Sequence, residues 1–210
     1  MTNQAQNEPG RMLIGRDRLY YPGLLGSSMR TRRLGAVAIY STPSGTFDIS
    51  VDGRPWETKS IYALPPFTPH RLRSESGHIM TVCIESESVA RDHIGSLVDS
   101  VQRGPDRPLR VQRLRTANAA IMAAGEADGF STIDFDERFL GQILAPRVMD
   151  RRIVETVETF RDEMDQNIIS AEECATGAGL STSLFLHLFK EMTDMPFRSH
   201  RMWRRARRFM

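Results

Sequence analysis

The stretch from Ile168 to Lys190 constrains this 210-residue chain more than any other. It reads Ile-Ile-Ser-Ala-Glu-Glu-Cys-Ala-Thr-Gly-Ala-Gly-Leu-Ser-Thr-Ser-Leu-Phe-Leu-His-Leu-Phe-Lys. Ser170 with Glu173 three residues later is a capping box, which starts a helix. Gly179 can take the left-handed turn that ends it, and Leu180 follows as a turn hydrophobe. Ser181 or Ser183 then caps a second helix, with Leu184, Phe185, Leu188 and Phe189 at helical spacing. Two short helices across a glycine turn make a helix-turn-helix, or, more plainly, a packed helical hairpin.

Phe185, Leu188 and Phe189 form the better core set on the second helix, at i, i+3 and i+4. Its exposed face then holds Thr182, Ser183, Leu186, His187 and Lys190. A buried Leu186 would mean a different helical phase. Serine bonds several base edges, leucine contacts a thymine methyl, and histidine reaches a purine edge. Lys190 suits a phosphate.

Net charge is only +2, but it is unevenly spread. Pro196 to Met210 carries Arg198, Arg201, Arg204, Arg205, Arg207 and Arg208 and no acid. A one-signed block suits a polyanion such as double-stranded DNA; the alternative is a solvated helix face. This tail is expected to be helical, with Phe197 and Trp203 inward and its arginines, Arg204 and Arg205 among them, along the phosphate backbone.

These residues resemble the AraC/XylS family of bacterial transcription regulators. The resemblance rests on Ile169-Ser170, Ala175, Ala178-Gly179-Leu180-Ser181, Leu188-Phe189-Lys190, Met195-Pro196-Phe197 and Arg205. It spans roughly Val148 to Met210 and matches the first of the family's two helix-turn-helix units. Asp194 departs from it, standing where the family has Gly. The resemblance implies that Ser183, Leu186 and His187 point into the major groove. It also implies a second unit beyond Met210, so this chain is expected to bind DNA weakly unless it dimerises.

Upstream, residues 19–86 have the texture of β structure. Apolar runs at Ala36–Tyr40, Gly45–Val51, Ser60–Leu64 and His78–Ile84 are punctuated by Gly and Pro. Asp52-Gly53 ahead of Arg54-Pro55-Trp56 signals a hairpin. A sandwich or small barrel is expected. Phe47–Gly53 and Leu64-Pro65-Pro66-Phe67-Thr68-Pro69-His70 are similar to the cupin-type barrel upstream of the AraC/XylS DNA-binding half. The resemblance implies a domain that senses an effector or serves assembly. Tyr40, Trp56, Tyr62, Phe67 and His70 are the candidate effector-binding residues, with ordinary core packing as the alternative for each.

The whole is therefore expected to be α+β. Residues 1–14 should be a disordered N-terminus and 15–105 a cupin-like sensor domain. Residues 106–146 should be a helical connector, and 147–210 the first half of the DNA-binding domain. In the connector, Val111, Leu114, Ala117, Ile121 and Ala124 line one face of a helix running to Ala127. Asp134 to Leu144 reads as another helix, ended by Pro146. The resemblance assigns such helices to dimerisation, so a homodimer is expected. Arg147 to Asn167 should open the DNA-binding half, with Ile153, Val154, Val157, Phe160 and Met164 inward.

Two rival classes remain: a cupin-type enzyme, and a dimerisation module that does not bind DNA. A catalytic metal needs about three converging ligands. The five histidines (His70, His78, His93, His187 and His200) contain no His-x-His pair, so no metal, cofactor or catalytic residue is expected. Cys83 and Cys174 suit a reducing cytosol. No run approaches a membrane span, and a cytoplasmic protein is expected.

Overall fold

The computed structural model describes residues 12–25, 30–124, 130–162 and 169–208. Several sequence expectations fall outside them: disorder over 1–11, the helix end at Ala127, and the positions of Met164, Ile168 and Met210.

Among the described residues the β half has eight strands: β1 Leu13–Ile14, β2 Arg18–Leu24, β3 Val37–Ser41, β4 Phe47–Val51, β5 Glu57–Lys59, β6 Ile61–Leu64, β7 His70–Arg73 and β8 His78–Ile84. They form two antiparallel sheets, in the orders β1-β2-β8-β3-β6 and β5-β4-β7. The architecture is thus an open sandwich of two separate sheets, and the closed-barrel alternative is not what forms. Leu13 and Ile14 pair with Tyr20 and Leu19, so the expected disordered segment ends earlier than residue 14. The Asp52-Gly53 hairpin is present, with both residues at positive φ (51° and 74°). Its return strand starts only at Glu57, because Pro55 has no N–H to give a ladder.

Strand alternation explains why β3 is buried throughout. Ala38 and Tyr40 face the second sheet, where they meet Phe47, Ile49 and Leu72. Val37 and Ile39 face the other way, into a helical layer. That layer comprises α1 (Arg91–Arg103), α2 (Arg107–Ala123), the short α3 (Thr132–Phe135) and a π-helical turn over Asp136–Leu140. It buries Leu97, Val101, Val111, Leu114, Ala117, Ile121, Phe135 and Phe139 against the five-stranded sheet.

Helix α2 shows the expected face, but Ala124 at its end is exposed. It starts earlier than expected, since Pro108 is tolerated in a first turn. The helix expected over Asp134–Leu144 is shorter and earlier. A Ser131–Asp134 capping box starts it, and Gly141 at φ 71° ends the π turn well before Pro146. Asp136 is wholly buried and takes Arg18 in a two-pronged pair, Nε at 2.7 Å and Nη2 at 3.0 Å. Its Oδ2 also accepts the Leu144 N–H at 3.1 Å. This carboxylate anchors the connector to β2.

Among the described residues the regular structure of the C-terminal half is helical: α4 (Arg151–Asp162), α5 (Ala171–Gly177), α6 (Thr182–Thr193) and α7 (Phe197–Arg208). Its core is Ile153, Val157 and Phe160 against Ala175, Phe185, Phe189 and Phe197. Val154 is only half-buried, and α4 begins at Arg151 rather than Arg147. Phe189 and Phe197 meet edge to face at 5.2 Å, a favoured aromatic geometry. Among the described residues, no helix is long and apolar enough to cross a membrane.

Candidate functional site

The helix-turn-helix geometry is set locally. Ser170 Oγ accepts the Glu173 N–H at 3.1 Å, and Glu173 Oε2 accepts the Ser170 N–H at 2.7 Å. Gly179 stands at φ 64°, between α5 and α6. Of the two candidate caps, Ser181 starts α6, its Oγ accepting the Leu184 N–H at 3.3 Å. Asp194 closes α6 at φ 60°, so Asp takes the left-handed position without glycine. Its carboxylate also pairs with Arg147 Nη1 at 2.7 Å, fixing the end of α6 to the segment that leads into α4.

Phe185 and Phe189 are fully buried and Leu188 is half-buried. Thr182, Ser183, Leu186, His187 and Lys190 are all exposed. Leu186 is 38% exposed, so the helical phase read from the sequence holds. Leu184, also exposed, extends this surface at its N-terminal end.

The tail arginines divide. Arg198 and Arg205 are exposed. Arg204 is not placed along an open phosphate-facing surface: it is buried, and its Nη1 donates to Glu85 Oε1 at 2.7 Å. Arg207 is buried too; it donates to the same carboxylate oxygen and to the carbonyls of Gly15 and Arg16. Arg161 Nη2 reaches Glu85 Oε2 at 3.5 Å, and His200 Nε2 lies 3.0 Å from Glu87 Oε1. The physical reason is desolvation: buried carboxylates require cationic partners, and this face of α7 supplies them. Burial pushes the Glu87 carboxyl up, but the hydrogen bond and charge of His200, with Arg204, outweigh it and hold the group at about 2.

Sequence reading missed this junction, although a signal existed. His200, Trp203, Arg204 and Arg207 stand at i, i+3, i+4 and i+7, the spacing of a buried helix face. Trp203 packs on Leu19, Ala36 and Cys83, closing one end of the sandwich.

Three of the five candidate effector residues come together, since Tyr62 is the cross-strand partner of Tyr40 and packs on the same cluster, while Trp56 and Phe67 lie elsewhere. Tyr40 and His70 meet between the sheets, with Tyr40 Oη 2.8 Å from His70 Nε2. His70 Nδ1 lies 2.8 Å from the Thr68 carbonyl, which can only accept. Nδ1 therefore carries the proton, and Nε2 accepts from Tyr40. Burial holds His70 below the usual histidine range. Trp56 lies elsewhere, with the guanidinium carbons of Arg71 and Arg73 at 5.2 and 4.6 Å from its ring centre. Tyr62 is half-buried with Lys59 Nζ 5.9 Å from its ring centre, and Phe67 belongs to the Trp203 cluster. Among the described residues, no three His, Cys, Asp or Glu side chains come together in a way that could hold a metal ion. Burial pushes the Cys83 thiol up to about 12, the opposite of what a nucleophilic thiol requires.

No protein-family model matches the chain, and no curated protein matches it. Similar solved structures include protein NMB1881 from Neisseria meningitidis, 16% identical over 36% of this chain and 82% of that one, with a TM-score of 0.31. A cupin of the RmlC-like type from Shewanella frigidimarina is 10% identical over 40% of this chain and 91% of that one, with a TM-score of 0.30. The DMSP lyase DddQ from Ruegeria pomeroyi is 17% identical over 35% of this chain and 44% of that one, at 0.29. Likeness of this size carries no argument about this chain.

Proposed function

We propose that this chain is a DNA-binding transcription regulator of the AraC/XylS kind, in which a cupin-like β half controls a helix-turn-helix. The observation that carries this reading is the outward face of α6. Thr182, Ser183, Leu186, His187 and Lys190 stand exposed on a helix whose opposite face is locked by Phe185 and Phe189. A second helix of such a unit enters the major groove, where these side-chain types can read base edges. Exposed Arg198 and Arg205 add sequence-independent attraction to phosphate.

The β half is the seat of control in this reading, by an effector or by assembly. Leu109, Ile133 and Ile143 are exposed apolar residues in the connector region, and they suit a homodimer contact in a cytoplasmic protein.

Binding to genomic DNA fragments across a salt series tests the proposal. The expected result is binding that weakens steeply with salt, with some fragments preferred. Lys190→Ala should lower affinity for all fragments alike, and His187→Ala should narrow the differences between them. Absence of binding at low salt would remove the regulator reading for this chain. Sedimentation of the same samples reads the dimer.

A further inference from the structure

Two open clefts of about 680 Å³ each share Thr46, just before β4, and Thr58, on β5, as a common wall. The first lies between this edge of the sandwich and α2. Lys59, Arg107 and Arg115 line it over the buried Ile61 and Val111, and among the described residues no carboxylate does. Arg107 and Arg115 stand about 12 Å apart along the axis of α2, with Lys59 supplied from β5.

These three charges are poorly compensated. Arg115 donates to two neutral acceptors, the carbonyls of Thr42 (Nε, 3.1 Å) and Gly45 (Nη2, 2.7 Å). Its guanidinium is thus held in place while Nη1 keeps no acceptor. Arg107 Nη1 reaches only the Gln102 carbonyl, at 3.4 Å. Lys59 pairs with Glu57 at 2.8 Å, but the Glu57 side chain is 53% exposed, and such a surface pair contributes little. Arg107 also opens α2, where the helix dipole favours negative charge. A cleft with one sign of charge on an apolar floor concentrates anions.

The second cleft has a different lining. Ser44, Ser74 and Ser76 contribute hydroxyls, and Asp48 and Glu75 contribute carboxylates. Asp48 accepts from Thr58 Oγ1 at 2.5 Å and from Arg73 Nε at 2.8 Å, which fixes its position. Glu75 is exposed and unpaired among the described residues. Phe47 is turned into the sandwich core, so the cleft offers no ring face to an aromatic ligand. Hydroxyls and carboxylates match the hydroxyls of a polyol, which both donate and accept, while the two acids repel an anion.

We propose that the paired clefts bind a phosphate monoester of a polyol, such as a sugar phosphate. The phosphate lies at Lys59, Arg107 and Arg115, with charge-assisted hydrogen bonds from the free nitrogens. The carbon skeleton crosses Thr46 and Thr58, and its hydroxyls reach Asp48, Glu75 and Ser74. The opposite charge of the two clefts fixes this orientation. Because Arg115 also holds the turn after β3, the ligand joins that turn to α2. The site is separate from α6 and stands whether or not the chain binds DNA.

Calorimetric titration of the full chain with glucose 6-phosphate, glucose and inorganic phosphate, at constant ionic strength made up with chloride, tests this. Expected is saturable binding of glucose 6-phosphate, about tenfold or more tighter than either part alone. Arg107→Ala should weaken it about tenfold, the loss of one charge-assisted contact. Glu75→Ala should weaken glucose 6-phosphate and leave inorganic phosphate no weaker. Arg103→Ala removes the same charge from α1, outside both clefts, and should match the parent. All three side chains are exposed, so the variants should fold. Absence of saturable binding, equal affinity for glucose 6-phosphate and inorganic phosphate, or equal losses in Arg107→Ala and Arg103→Ala would each overturn the proposal.

Discussion

Arg204 Nη1 donates to Glu85 Oε1 over 2.7 Å, joining residues 119 positions apart in the chain. One lies on α7 and the other just past the end of β8. The pair fastens the helical half to the β half, and Arg161, Arg207, His200 and Glu87 complete the cluster. An arginine that sequence composition assigns to DNA is thus committed to the interior.

Removing the shared acceptor should be costly. Glu85→Ala leaves Arg204 and Arg207 buried without their carboxylate, and a loss of about 3 kcal/mol or more is expected. Arg205→Ala, on the exposed side of the same helix, should change stability by no more than about 0.5 kcal/mol. Urea unfolding of the two variants checks the contrast.

Gly35 lies against Trp203. A Cβ added there would stand 2.4 Å from both Cβ and Cγ of Trp203. Gly35→Ala should therefore displace α7 from the end of the sandwich while leaving the sheets paired. The expected signature is a red-shifted Trp203 emission, read in a Trp56→Phe background, with unchanged far-ultraviolet strand signal.

His70 makes stability depend on pH. Burial lowers its folded-state pKa below the ordinary histidine value of about 6.5, so the unfolded chain binds its proton first. Stability from this group is full above about pH 6.5 and falls as pH drops through that value toward the lower folded pKa. His70→Gln should flatten the profile in this window. Glu87, held well below its ordinary value by His200 and Arg204, adds a loss as pH falls below about 4.5, while its neighbour Glu85, pushed up by burial and by Glu87, acts in the opposite sense. Denaturation midpoints from pH 8 to pH 3 resolve the two windows.

Tyr40→Phe removes the proton that His70 Nε2 accepts. The site is buried on both sides, and a destabilisation of about 1–2 kcal/mol is expected, as for a lost buried hydrogen bond. The same variant should raise the mobility of the β3–β7 contact, measured by amide exchange at Leu72.

Gly179→Ala isolates backbone strain. No atom lies within 4 Å of the added Cβ, but φ is 64°. The expected cost is about 1 kcal/mol, entirely conformational. Calorimetry of the variant checks it.

Much of the helical half was legible in order along the chain. The Ser170–Glu173 box, Gly179, the Ser181 cap and the Phe185–Phe189 spacing act over four residues or fewer, so their outcome is written locally. The Asp52-Gly53 turn is local in the same sense. The connector was read less well. Gly141 and Pro146 are both helix stops by type, and the sequence does not say which acts first. Asp136 falls inside the helix expected over Asp134–Leu144, and nothing local marks it as the buried partner of Arg18.

The sequence by itself therefore determined where α5 and α6 begin and end and which face of α6 is apolar, because these follow from contacts within a single helix turn. Tertiary structure alone decided that the strands form two open sheets, that Tyr40 pairs with His70, and that Arg204 and Arg207 turn inward to Glu85. Arginines of one helix look alike in sequence. Which of them meets solvent depends on where a carboxylate more than a hundred residues away is buried, since only a buried charge compels another to join it.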